Sequence, residues 1–237
     1  RDGEGICEPI ASMPGVNRLS VDMVVKAAAE AQALGIPAIC LFPYTDPSLK
    51  TEACEEAWNP DNLANRAIRA IKAAVPEIAI MTDVALDPYN SNGHDGLVRD
   101  GVILNDETVE ALVRMAVVQA EAGADLLQVF DSWVGALSPA DYRRYVKPHM
   151  ERLFQSLRPV GVPVIHFGVG TMGLLEDMKE AGGDVLGLDH HTPLPWARAL
   201  LGATPVQGNL DPAVLLAPKG VIRREVQRIL KENGGKS

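Results

Sequence analysis

Acidic side chains and histidines recur at the ends of apolar runs along this 237-residue chain. Asp83 and Asp87 follow EIAIMT, Asp131 and Ser132 follow LLQVF, His166 follows VPVI, and Asp189, His190 and His191 follow VLGL. Gln207, Asn209 and Asp211 come after a last short run. Carboxylates and imidazoles converging on one opening can hold a divalent metal and activate its water. A metal-dependent hydrolase or lyase using Asp83, Asp87, His166 and His190 is therefore one reading. The alternative is structural: Asp and Ser just past a strand often cap the next turn or helix, and no HExxH-type spacing singles out a metal set.

The stretch TDVALDPYNSNGHDG at 82–96 is more particular. It leaves an apolar run at Asp83, passes Asp87-Pro88, and enters a polar loop with Asn92-Gly93 as a turn signal. Asp87, His94 and Asp95 lie close enough in sequence to hold a hard cation such as magnesium through carboxylates and water. The same residues suit a mobile lid whose acidic groups are solvated.

Positioning these groups falls to alternating elements. Apolar runs at 36–44, 77–86, 126–133, 162–167, 185–189 and 205–210 read as six strands, the first buried on both faces. Helical patterns lie between them. Ser20 is expected to cap a helix that Gly35 stops, Asp106 to cap one ending at Gly123, and Ser138 to cap one that Pro148 interrupts. A last helix at 221–233 closes on Gly234-Gly235. Strict alternation predicts α/β architecture with a parallel sheet, and the absence of GxGxxG and GxxxxGKS lowers the weight of a nucleotide-binding open sheet. Polar residues at several successive strand ends favour a (βα) TIM-barrel-like fold, a single barrel-like domain over 1–237.

Composition sets limits on function. Aromatic residues make up 5%, while small residues are plentiful, as helices packed on a buried sheet require. The net charge of −9 disfavours a nucleic-acid partner. No apolar run approaches a membrane span, and a cytoplasmic protein is expected. Cys7, Cys40 and Cys54 lack CxxC spacing and are expected to be reduced. Charge is distributed unevenly: residues 1–124 hold 9 Lys and Arg against 19 Asp and Glu, whereas residues 125–237 hold 13 against 12.

That asymmetry coincides with a change of sequence style inside EAGADLLQVFDSW at 121–133. Residues from about 5 to 125 resemble porphobilinogen synthase (5-aminolevulinate dehydratase), through SMPGVNRLS, GIPAICLFP, DPSLKTE, RAIRAIK, PEIAIMTDVALDPYNSNGHDGLV, ILNDETVEALVRMA and EAGAD. Residues from about 125 to 235 resemble uroporphyrinogen decarboxylase, through LLQVFDSWVGALSPADYRRYVKPHMERL, VPVIHFGVGTMGLLEDMKEAGGDVLGLDHHTPL and PVQGNLDPAVLL. Both families are barrels of haem biosynthesis. The resemblance implies a chimera of two half-barrels, with 1–124 from one family and 125–237 from the other. An engineered or recombined origin is the economical explanation.

The first resemblance implies a magnesium-responsive, zinc-independent type, because Ala85, Asp87 and Asp95 stand where zinc-dependent relatives carry cysteines. It also implies substrate imines on lysines of later strands, which this chain replaces. The second implies no cofactor, with Phe130 and Ser132 at positions of the substrate pocket. His166, His190 and His191 would then flank a bound porphyrinogen, and small-molecule binding would be weak. Neither set is complete, so efficient native catalysis is expected to be absent, with Asp83 and Ser132 as remnants. Six strands fall short of a closed eight-stranded barrel, so the open edges are expected to promote self-association unless 7–10 supplies a strand.

Overall fold

The computed structural model describes residues 1–234, so the expected helix stop at Gly235 lies outside the described residues. The chain divides into two compact units: Arg1–Gln128 with Ser156–Val162, and Val129–Gln155 with Pro163–Ser237. The six strands of the parallel order alternate with helices as the sequence predicts, and two short hairpins outside that order are added. In chain order the elements are β1 (Cys7–Pro9), β2 (Asn17–Leu19), α1 (Val21–Ala33), β3 (Ala38–Leu41), α2 (Leu63–Ala74), β4 (Ala79–Val84), β5 (Val98–Arg99), β6 (Val102–Ile103) and α3 (Asn105–Glu121). They continue with β7 (Leu126–Asp131), α4 (Pro139–Asp141), α5 (Lys147–Leu157), β8 (Val164–Gly168), α6 (Leu175–Ala181), β9 (Val185–Gly187), α7 (Leu194–Leu201), β10 (Val206–Gln207) and α8 (Lys219–Glu232).

The hydrogen-bonded strand order is β10-β9-β8-β7-β4-β3, six strands as expected. Parallel register sets Ala38 opposite Ala79, Phe167 opposite Gly187, and Val206 opposite Leu186. This is the TIM-barrel-like α/β class. In the first unit Leu86, Tyr89, Leu97, Ala111 and Met115 form a buried cluster beneath the loop that follows β4. In the second, Tyr142, Leu175, Met178, Leu186, Leu194 and Leu201 do the same beneath β9.

Several expectations need correction. The first expected strand shrinks from 36–44 to four residues and is half-exposed instead of doubly buried, because it ends the strand order; Phe42 beyond it is 65% exposed. The 7–10 segment does not extend the parallel order. It pairs antiparallel with β2 as a separate hairpin, Cys7 opposite Leu19. Asp106 does not cap α3: the helix starts two residues earlier with Leu104 at the cap, leaving Asp106 in the first turn, where its charge still suits the helix dipole. Ser20 does occupy the cap position of α1, yet its hydroxyl bonds Asp22 instead of a helix amide. Ser138 caps as expected, accepting the Asp141 N–H at 3.1 Å.

Pro148 does not break its helix. The turns at Tyr142–Val146 widen to π geometry immediately before α5, so the chain passes the proline, which has no N–H to donate, without losing its helical course. Near the amino end, Gly35 adopts φ 77°, the left-handed conformation that ends α1. The three cysteines are free. Among the described residues, no helix is long and apolar enough to cross a membrane.

Candidate functional site

Two groups of polar side chains form, each within its own unit. The first is built on β4. Successive strand residues point to opposite faces, so Thr82 faces α3 while Asp83 faces the other way. Thr82 donates its hydroxyl hydrogen to Gln119 Oε1 at 2.8 Å, and Gln119 Nε2 donates to the Asp83 carbonyl at 3.0 Å. This pair of bonds fixes the end of β4 and commits the Asp83 carboxyl to the opposite face. There it is 7% exposed, and its Oδ1 has no hydrogen-bond partner.

Burial pushes the Asp83 carboxyl up to about 7, with the charges of Asp87 and Asp95 adding to the shift. Asp87 is raised too, first by partial burial of its carboxyl and then by Asp95. Cys40, opposite Met81 on the neighbouring strand, shares the Asp83 face; burial and the Asp83 charge raise its thiol to about 12. Tyr89 is 1% exposed, its hydroxyl unpartnered and raised by burial and by Asp83. The group is a sheltered acid poised near neutrality, flanked by a phenol and an unreactive thiol.

The loop after β4 is anchored to its surroundings by hydrogen bonds. Asn90 is 1% exposed and donates to the Gly96 carbonyl at 3.1 Å, while the Thr51 N–H bonds the Tyr89 carbonyl and Ser91 N–H bonds the Thr51 carbonyl. His94 and Asp95 remain exposed at the rim, with His94 Nδ1 accepting the Gly96 N–H at 2.9 Å.

The second group follows β7, β8 and β9. Phe130 meets Phe167 edge-on at 5.5 Å between ring centroids, with Ser132 half-buried two residues along. Asp131 is raised to about 6 by burial, and its Oδ2 has no partner. Asp189 is a structural acceptor: it takes the Gly170 N–H and the Thr192 hydroxyl, the latter at 2.9 Å, and Asn209 Nδ2 donates to the Thr192 carbonyl. His190 and His191 are exposed, their ring centroids 3.9 Å apart with the planes tilted by 39°.

His166 departs from expectation. It is fully buried against Phe154, 4.7 Å between rings, with Nδ1 at 3.3 Å from the Gly182 carbonyl at the end of α6. Burial lowers it to about 4, so the ring is neutral. The side chain packs in the layer between strand and helices. Sequence spacing located the strand but not the face.

Among the described residues, no three His, Cys, Asp or Glu side chains gather so as to hold a metal ion. Asp83, Asp87, His166 and His190 thus do not come together as one such group. His166 is fully buried, whereas His190 is exposed. The sequence reading missed Tyr89, Tyr142 and Phe167. Strand alternation gave the available signal for Phe167, two residues past Ile165 and on the opposite face from His166. No signal of that kind marks the two tyrosines.

None of the described lysines lies on a strand. Lys147 pairs with Asp177 and Glu180, Lys179 donates to the Leu201 carbonyl, and Lys72 bonds Asp125.

The family profile described as Delta-aminolevulinic acid dehydratase matches residues 1–138, and that of uroporphyrinogen decarboxylase matches residues 103–237. Among similar proteins, a uroporphyrinogen decarboxylase of Thermus thermophilus is 92% identical over 134 residues, covering 56% of this chain and 39% of the relative. Delta-aminolevulinic acid dehydratase of Rhodobacter capsulatus is 57% identical over 142 residues, covering 59% of this chain and 43% of the relative. The crystal structure of the Toxoplasma gondii dehydratase with porphobilinogen superposes with a TM-score of 0.60 at 30% identity, covering 97% of this chain and 58% of that one. The chain thus spans about two fifths of the length of the curated relatives it matches.

Proposed function

We propose, for a chain that belongs to the Delta-aminolevulinic acid dehydratase family over residues 1–138 and to the uroporphyrinogen decarboxylase family over residues 103–237, that it is a recombined scaffold without the efficient turnover of either parent. The observation that carries this reading is a repeated joint. Asp125 N–H donates to the Ile80 carbonyl at 2.9 Å while its carboxylate accepts the Ile80 N–H at 2.8 Å. Asp184 N–H donates to the Val164 carbonyl at 2.8 Å while its carboxylate accepts the Val164 N–H at 2.8 Å. The segments EAGAD and EAGGD thus make the same helix-to-strand connection, the first where the two family matches overlap and the second in the decarboxylase portion, and a splice beside such a joint leaves the hydrogen bonding of the strand start intact.

Lysine placement supports the lack of dehydratase turnover. Imine formation needs an amine held in a desolvated site, and the described lysines lie on helices or loops, Lys72 and Lys147 already ion-paired. On the decarboxylase side, Ser132 and Phe130 are present without a matched set of groups to orient a substrate, and losing such partners removes most of the rate. The proposal includes no required cofactor, a cytoplasmic setting, and self-association through the outer edges of β3 and β10.

Two assays test it: conversion of 5-aminolevulinate to porphobilinogen, and loss of carboxyl groups from uroporphyrinogen. Neither should proceed at a rate near that of an ordinary member of its family. Either doing so overturns the proposal. A second reading, weak porphyrinogen retention beside Phe130 and Ser132, is favoured by the half-buried edge-on ring pair. Calorimetry with the parent and Ser132→Ala decides it, since no binding by either ends that reading.

A further inference from the structure

A cavity of about 530 Å3 lies in the first unit between the β1–β2 hairpin, α1, α2 and the end of β3, and Cys40, beside the Asp83 group, is part of its lining. Its volume falls within the roughly 300–1,000 Å3 typical of small-molecule sites, and such sites are mostly apolar with a few placed polar groups. Ile10, Val16, Leu19, Val24, Leu41 and Phe42 supply the apolar wall. Met13, Val16 and Phe42 are 51%, 43% and 65% exposed, so the wall opens to solvent.

Charge at the lining is one-sided in availability. Arg1 also reaches the cavity, but its guanidinium is paired with Glu8 and its terminal amine with the Leu19 carbonyl. Among the described residues, Arg18 has no carboxylate partner. Its guanidinium lies 4.5 Å over the Tyr44 ring, and both residues line the cavity. Stacking on an aromatic face holds an arginine in place while leaving its N–H donors free to meet an anion. No described Asp or Glu lines the cavity.

We propose that this cavity is a binding site for an amphiphilic anion: an aliphatic or aryl body seated against Val16, Leu41 and Phe42, with a carboxylate or sulfonate bonded to Arg18. The chain's net charge of −9 does not attract anions at long range, so recognition rests on contact with Arg18 and on apolar burial. The site owes nothing to Asp83 or Ser132 and stands apart from the proposed function.

Calorimetric titration of the full chain with decanoate and, separately, with decanol tests this, sedimentation velocity being recorded alongside. One saturable site per chain is expected for both. Arg18→Gln should weaken decanoate about tenfold, equivalent to ~1.4 kcal/mol, and leave decanol unchanged. Leu41→Trp, which fills the cavity, should weaken both; Val16→Trp serves the same purpose should Leu41→Trp fail to fold by circular dichroism. Equal decanoate affinity in parent and Arg18→Gln overturns the anion assignment. Absence of saturable binding overturns the site. So does a self-associated chain that binds decanoate only after Met13→Glu dissociates it, because a second copy is then the occupant.

Discussion

Asp125 clasps Ile80 at both backbone positions, accepting its N–H at 2.8 Å and donating to its carbonyl at 2.9 Å, and it also takes a 3.0 Å bond from Lys72. Asp184 repeats the double bond on Val164. The aspartate replaces a ladder residue where a strand starts, so it helps to fix the position of that strand.

Asp125→Ala should therefore lower stability by about 1–3 kcal/mol, because it leaves the Ile80 N–H without its charged acceptor. Asp184→Ala should fall in the same range. Urea denaturation followed by circular dichroism measures both, and a change below about 0.5 kcal/mol in either would show that the clasp is ornamental.

Stability should respond to pH in two opposed ways. Asp83 rises from its ordinary 3.8 to about 7, so between those values the folded chain holds a proton that the unfolded chain has lost. Its contribution is full below 3.8 and falls away as pH rises toward 7. His166 falls from 6.5 to about 4, so its folded form stays neutral where the unfolded one is charged. That contribution is intact above 6.5 and is lost as pH drops toward 4. Asp83→Asn should leave a net loss of stability on acidification through this window, and His166→Gln should leave the reverse. Midpoints of thermal unfolding at about pH 4.5 and 7, inside the window set by those shifts, distinguish them; the same slope in both variants would contradict the assignment.

Gly135 in the second unit tolerates no side chain. A Cβ there would lie 2.1 Å from the Val169 carbonyl oxygen and 2.7 Å from the Gly170 backbone, and backbone cannot step aside as a flexible side chain can. Gly135→Ala should cost about 2 kcal/mol or more, read as a lowered urea midpoint with an unchanged slope.

Tyr142→Phe should be neutral or mildly stabilising. The ring is fully buried and its hydroxyl has no partner, so removing the oxygen relieves a desolvated group while keeping the packing. Loss of more than about 1 kcal/mol by the same urea measurement would show that the hydroxyl is satisfied by bound water.

Much of the architecture was legible in order and type. Periodicity located all six strands of the parallel order, because apolar runs between turn residues survive any tertiary context. Strand extents and the exposure of β3 were not legible: burial depends on what lies alongside, and β3 ends the strand order. Pro148 misled for a related reason, since widening of the preceding turns is a local backbone adjustment with no marker in residue type.

The sequence by itself determined the two family portions and the alternation of strand and helix in the parallel order, properties carried by residues near one another along the chain. Only the tertiary structure decided which face each polar residue meets. Asp83 and His166 occupy comparable places at the ends of their runs, yet one becomes a sheltered acid near neutrality and the other a neutral ring packed on Phe154. A strand turns consecutive side chains to opposite faces, so a single step of register, fixed by hydrogen bonds to neighbouring strands, separates a candidate reactive group from a core residue.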